Sequence, residues 1–305
     1  LISIVAGYFQ FVKEVFMKSK YKGIILIICS AFCFALMNAF VRLAGDLPST
    51  QKSFFRNFVA LIIAIVLFSR EKGSANIPKG AGKFLFLRSA FGTIGILCNY
   101  YAIDHLVLSD ASMLNKMSPF FTILFSWLLL KEKLLPVEAI AVITAFFGSM
   151  LVVKPSFDFS QFHASFAGLC GGIAAGAAYA MVRILGKKGV NKTFIVLFFS
   201  GFSCLVTLPF LIFDYHPMTW VQLLTLIGAG VAGAGGQFSI TSAYCYAPAR
   251  EISVYDYSQI IFATTMGFLF FREIPDIWSI FGYLIIILAA VGMFWYHNFY
   301  TPKQT

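Results

Sequence analysis

Charge is what this sequence has least of. Of its 305 residues only 12% are Asp, Glu, Lys or Arg, about half the roughly 25% that dresses a soluble domain. Polar connections are scarce too. The longest, residues 70–80, carries Gly73, Ser74, Pro78 and Gly80, which is turn chemistry, and no stretch is left over for a soluble domain. The six cysteines, Cys29, Cys33, Cys98, Cys170, Cys204 and Cys245, all fall in apolar runs without a CxxC pair. Neither a zinc site nor a disulfide framework is supported. The four histidines, His105, His163, His216 and His297, sit in expected loops or at helix ends, so no metal and no other cofactor is expected. The sequence has no HExxH, no GxxxxGK[ST] loop and no histidine deep in an apolar run. That removes the metalloprotease, nucleotide-hydrolysing and serine-protease forms of an intramembrane enzyme.

What is present is apolar length. Hydrophobic residues make up 59% of the chain, and the mean hydropathy is +0.84. The apolar runs are each about 20 residues, enough to cross a hydrocarbon core of about 30 Å as helix. Ten spans are predicted, over 23–43, 53–69, 81–103, 107–130, 135–153, 164–184, 192–213, 219–246, 250–271 and 276–296. The net charge of +10 would suggest nucleic acid in a soluble protein, but here the basic residues crowd short loops on alternate sides. With the N-terminus cytoplasmic, sixteen Lys and Arg fall on the cytoplasmic side and five (Arg42, Lys52, Arg56, Lys154, Arg272) opposite, with Arg88 and Lys116 inside spans. The positive-inside rule then predicts a multi-pass protein of the cytoplasmic (inner) membrane, both termini cytoplasmic, with the lipid bilayer and not nucleic acid as its partner. Residues 1–19 are expected to be an N-terminal extension. Leu1 is not an initiator, Met17 precedes Lys18, Lys20 and Lys22, and the Phe- and Val-rich pattern fits a short interfacial helix without a signal cleavage site.

The chain repeats itself. At a constant offset of 141 positions, Cys29 meets Cys170, Val41-Arg42 meets Val182-Arg183, and Gly45 meets Gly186. Gly92 and Gly95 meet Gly233 and Gly236, Ser112 meets Ser253, and Lys131-Glu132 meets Arg272-Glu273. Single apolar matches mean little; charged and glycine matches at one offset indicate duplication. The two repeats are placed at 20–155 and 160–300, five spans each. Five is odd, so the second repeat enters the membrane inverted, an arrangement that places transporter sites near the midplane between halves.

Two five-span repeats with short loops, each closing its fourth span on Leu128-Leu129-Leu130-Lys131-Glu132 or Leu269-Phe270-Phe271-Arg272-Glu273, resemble the drug/metabolite transporter superfamily, EamA type. The resemblance covers roughly residues 20–300. It implies an all-α membrane protein of ten transmembrane helices, as two inverted five-helix repeats around a central cavity, serving efflux or exchange of metabolites such as amino acids.

Charge inside a span costs at least about 2.5–3.5 kcal/mol on insertion scales, so its placement is informative. In the fourth span Ser112, Asn115, Lys116, Pro119, Thr122 and Ser126 fall on one helical face, which should look into protein or a water-filled cavity. Pro119, read as lying inside that helix, would free the carbonyl near residue 115. In the ninth span Ser253, Asp256, Tyr257, Ile260, Thr264 and Gly267 form the equivalent face, with Asn115 opposite Asp256 and Lys116 opposite Tyr257 in the repeat. At about 1.5 Å per residue, Lys116 and Asp256 lie roughly 9–13 Å inside their spans from opposite sides. They form either a permanent structural ion pair or one that opens, Lys116 taking a carboxylate and Asp256 an amine or a proton. Arg88 in the third span either snorkels to the interface or faces the cavity. Asn99, Gln237, Tyr244 and the repeat partners Asn38 and Tyr179 complete the candidate substrate-binding set. Arg42 and Arg183 are expected as interface anchors, Glu132 and Glu273 as gating or capping residues. Small-residue stripes such as Gly168, Gly172 and Gly176 read as close-packing surfaces. The expected function is secondary active transport of a small amino-acid-like metabolite, with proton coupling through Asp256 as an option. A channel-like or structural polytopic protein is the alternative.

Overall fold

The computed structural model describes residues 19–71, 77–105, 114–132, 135–153, 162–272 and 276–299. Among them there is no strand, and ten helices have 13 or more residues. They are α1 (Ser19–Leu43), α2 (Ser49–Arg70), α3 (Gly82–His105), α4 (Ser118–Leu130), α5 (Pro136–Val153), α6 (Phe162–Lys187), α7 (Lys192–Phe213), α8 (Trp220–Tyr246), α9 (Ser258–Phe271) and α10 (Ile277–Phe299). The N-terminal extension, Ser112 and Glu273 lie outside the described residues.

Six helices, α1, α2, α6, α7, α8 and α10, meet the length and composition of a membrane span individually. Across the ten helices apolar side chains point outward: Ile65, Phe86, Trp127, Phe147, Leu205 and Leu288 are all exposed, as a lipid-facing surface requires. The polar groups point in. In α2 the buried residues are Gln51, Ser53, Arg56, Asn57, Ala60 and Ala64, the reverse of a helix on a water-soluble protein.

The packing obeys the repeat. α1 packs on α8 as α6 packs on α3; α4 packs on α6 as α9 packs on α1; α2 packs on α8 as α7 packs on α3. The pairs α2–α7 and α5–α10 each join symmetry mates. All of these pairs cross between halves. The Ser30 hydroxyl, for example, donates to the Gly236 carbonyl at 2.9 Å across α1 and α8.

Two expected spans are not continuous helices. The 107–130 span has a turn at Lys116-Met117 before α4 begins. The 250–271 span is a four-residue helix, Ala249–Ile252, then a 3-10 turn, Ser253–Tyr257, then α9. With 13 and 14 residues, α4 and α9 reach only about 20 Å, short of the membrane core. Pro119 is therefore not interior to a helix. It stands in the first turn of α4, where its missing N–H has no helical acceptor to lose.

Both short helices end alike. Lys131 (φ 52°) and Arg272 (φ 58°) follow α4 and α9 in the left-handed region, 141 positions apart. This conformation costs a non-glycine residue about 1–2 kcal/mol, which a cation at a helix C-terminus offsets by about 0.3–1 kcal/mol. Glycine would fit the turn better and lack the charge.

Candidate functional site

The breaks before α4 and α9 deliver the two charged residues that meet between the repeats. Lys116 stands two residues before α4, and Asp256 two before α9. A carboxylate is at home beside a helix N-terminus; a cation is not. Lys116 accordingly turns to the other repeat. Its Nζ donates to Gln259 Oε1 at 2.7 Å, to Asp256 Oδ2 at 3.3 Å and to the Asp256 main-chain carbonyl at 3.4 Å. The two side chains are 6% and 7% exposed, so the pair is almost wholly withdrawn from solvent. The Tyr257 hydroxyl donates to the Lys116 carbonyl at 3.1 Å, tying one break to the other.

Glycines seat the first break. A Cβ on Gly172 of α6 would stand 2.6 Å from the Leu114 carbonyl, and one on Gly176 would stand 2.5 Å from Phe121 Cβ. The stripe read as plain packing thus sets the position of Asn115 and Lys116.

The pair borders a cavity of about 110 Å³ between the repeats. Its lining draws on α1 (Phe34, Met37, Asn38), α2 (Arg56), α3 (Arg88, Asn99, Tyr100), the first break (Asn115, Lys116), α6 (Tyr179), α7 (Phe199), α8 (Gln237) and the second break with α9 (Asp256, Gln259). Eight of the sequence candidates therefore meet around one space: Asn38, Arg88, Asn99, Asn115, Lys116, Tyr179, Gln237 and Asp256. Three others stand behind it. Ser253 and Tyr257 are fully buried, and Tyr244 backs the wall, its ring stacked on Tyr179 at 5.2 Å.

Arg88 does not snorkel. It is 2% exposed, and its guanidinium lies over the Phe199 ring, 3.7 Å from the centroid. Arg56 and Gln259 were missed. Hydropathy had placed Arg56 near the head of a span starting at 53, whereas α2 begins at Ser49 and holds Arg56 two turns in, 4% exposed. Gln259 lies one turn beyond Asp256, and its spacing was the available signal.

At the outer ends, Arg183 is not a simple interface anchor. Its Nε pairs with Glu132 Oε1 at 3.2 Å, Lys187 joins the same oxygen at 2.8 Å, and Nη1 donates to the Tyr244 and Cys245 carbonyls at 3.4 and 3.3 Å. Its repeat partner Arg42 lies over the Phe271 ring at 4.3 Å. Each arginine thus meets the corner that closes the other half's partner helix. Glu138, half a turn into α5, caps it by accepting from Leu135 N at 2.9 Å. Among the described residues no cluster of His, Cys, Asp and Glu could hold a metal.

Sequence comparison gives the same organisation. The model of the EamA-like transporter family matches twice, over residues 21–154 and 164–295. The pseudopaline exporter CntI of Pseudomonas aeruginosa is 32% identical over 275 residues, covering 89% of this chain and 95% of that protein. Human solute carrier family 35 member G1 is 27% identical over 295 residues, covering 88% of this chain and 78% of its own length. A solved crystal structure superposes with a TM-score of 0.78 at 12% identity, over 88% of this chain and 96% of that one, and so shares the fold. This chain belongs to the EamA-like transporter family, within the drug/metabolite transporter superfamily.

Proposed function

We propose that this protein is a secondary active transporter of a small, amino-acid-like organic solute, working by alternating access in the cytoplasmic (inner) membrane with both termini cytoplasmic. The observation that carries the reading is the buried Lys116–Asp256 pair, reaching across the two repeats at the breaks before α4 and α9. A buried pair is strongly destabilised when one partner is removed, so opening it needs a replacement partner. A solute carboxylate replaces Asp256 at Lys116, while Asp256 takes the solute amine or a proton. Broken helices whose N-termini meet at the midplane are where carriers hold solute. The repeats 20–155 and 160–300, following an extension at 1–19, then rock about the pair. The relative named as an exporter supports the outward direction.

The test is solute uptake and counterflow in proteoliposomes, screened over amino acids and related acids, for wild type, Lys116→Ala and Asp256→Ala. A folded variant of either kind should lose at least ten-fold in rate. Normal transport by both would defeat the reading of this pair as the solute site.

A further inference from the structure

Three cations line the cavity, Arg56, Arg88 and Lys116, against one carboxylate, Asp256. Of these three cations only Lys116 has an acidic partner among the described residues. Arg56 is 4% exposed and gives one hydrogen bond, from Nη1 to Asn57 Oδ1 at 2.8 Å; its Nε is buried without a partner. Arg88 is 2% exposed, touches the Phe199 face through its guanidinium, and also has a buried, unpartnered Nε. The two lie within electrostatic reach of one another and of Tyr179.

The fold makes room for both. A Cβ on Gly92 would stand 2.6 Å from Arg88 Nη1, and one on Gly233 would stand 2.9 Å from Arg56 Nε. Gly92 and Gly233 are the same position of the two repeats, so each guanidinium fills the notch of a symmetry-related glycine. The arginines themselves both belong to the first repeat.

Arginine does not shed its proton in proteins, so burial cannot neutralise these groups as it can a lysine. Stacking on Phe199 is attractive but brings no counter-charge, and two neighbouring guanidiniums repel. A buried, unpaired cation in a membrane protein marks a functional site, and its missing partner is the thing to identify. Guanidinium is a planar fork matched to carboxylate. We infer that Arg56 and Arg88 form an anion subsite of the carrier cavity, separate from the Lys116–Asp256 pair, and that the solute is a small organic acid with two or more carboxylates. This rests on the carrier reading and deepens it. Two carboxylates balance the cavity; a neutral or zwitterionic amino acid leaves it doubly positive. Asn38, Asn99 and Gln237 supply neutral hydrogen bonds, and Phe34 and Met37 the apolar wall.

Thermal unfolding of the purified full chain in detergent tests the subsite without requiring transport. The probes are succinate and citrate, their neutral counterpart succinamide, and inorganic phosphate. Succinate or citrate should raise Tm in a concentration-dependent way, and succinamide and phosphate should not. Arg56→Gln and Arg88→Gln should each weaken the apparent affinity at least ten-fold, and Arg88→Lys should recover part of it. Equal stabilisation by acid and amide, stabilisation by phosphate alone, or an acid response intact in both Gln variants would overturn the inference. Where a Gln variant does not fold, the acid–amide comparison on wild type and on Arg88→Lys decides. Acids that bind in detergent while no solute enters proteoliposomes would keep the subsite and defeat the carrier reading. Uptake of neutral amino acids that succinate does not inhibit would keep the carrier and defeat the subsite.

Discussion

The two repeats share their scaffold and divide their chemistry. At an offset of 141 both keep a glycine at 92 and 233, a left-handed cation at 131 and 272, and a broken fourth span. The charged groups of the cavity are not kept. Arg56 stands opposite Leu197, Arg88 opposite Ala229, Lys116 opposite Tyr257 and Asp256 opposite Asn115. The first half supplies the cations and the second the carboxylate. Duplication fixes where a cavity can be; single substitutions on one copy then decide what it holds, because a symmetric pair of like charges at the midplane would only repel.

The sharpest way to break this comparison is to remove its asymmetry. Asp256→Leu leaves Lys116 buried without its charge partner and should destabilise the protein by about 3–5 kcal/mol, while Lys116→Leu with Asp256→Leu together should recover most of that loss. Chemical or thermal unfolding of Asp256→Leu, Lys116→Leu and the double variant checks it. An additive double variant would mean that the pair is not coupled.

A smaller effect separates the small-residue stripes. Gly172 and Gly176 of α6 correspond to Ala31 and Ala35 of α1. Gly176→Ala puts a methyl against Phe121 Cβ and main chain and should cost about 1–3 kcal/mol by overpacking. Ala35→Gly should cost about 1 kcal/mol or less from helix propensity. Comparable Tm losses would show that the two interfaces are equally tight.

Glu132→Gln keeps an acceptor oxygen but removes the negative charge shared by Arg183 and Lys187. Lys187 is 43% exposed and adds little, but Arg183 and Glu132 are only 12% and 11% exposed, so the loss in stability should be about 1–3 kcal/mol. Solute exchange should change more than Tm, because the contact joins the α4 corner to the ends of α6 and α8. Parallel measurement of Tm and counterflow reads the two apart. Smallest of all, Lys131→Gly and Arg272→Gly should each shift stability by about 1 kcal/mol or less, since relief of the left-handed strain is set against a lost charge at the helix end. The two should agree in sign; opposite signs would show that the corners are not equivalent.

The two-repeat membrane fold was legible because lipid leaves so few options. Apolar runs of span length, short loops and one constant offset are consequences of a single solvent constraint. The candidate site was legible in part for the same reason: Lys116, Asp256 and Arg88 stood out as expensive residues, and one cavity gathers them. The breaks were not legible. Hydropathy reports whether a segment belongs in the membrane and is silent on whether its backbone continues, so Pro119 was read as interior when it opens a new helix. Arg56 was lost to a span boundary placed four residues late. Ser253 and Tyr257 shared the right face, and Tyr244 was placed in the right span, yet all three stand behind the lining, because a helical face fixes direction and not depth.

The reach of Lys116 to Asp256 spans 140 residues of sequence, and it sets a schedule as well as a geometry. At about 5–20 residues per second, the lysine enters the bilayer roughly 7–28 s before its carboxylate exists. During that interval the first repeat is a nascent chain with an uncompensated cation in its fourth span and its α1, α3 and α4 faces uncovered. The second repeat is in effect the chaperone of the first, delivered by the same ribosome. Interrupting synthesis between the halves should leave a fragment marked for degradation by the very residue that the finished protein pairs and buries.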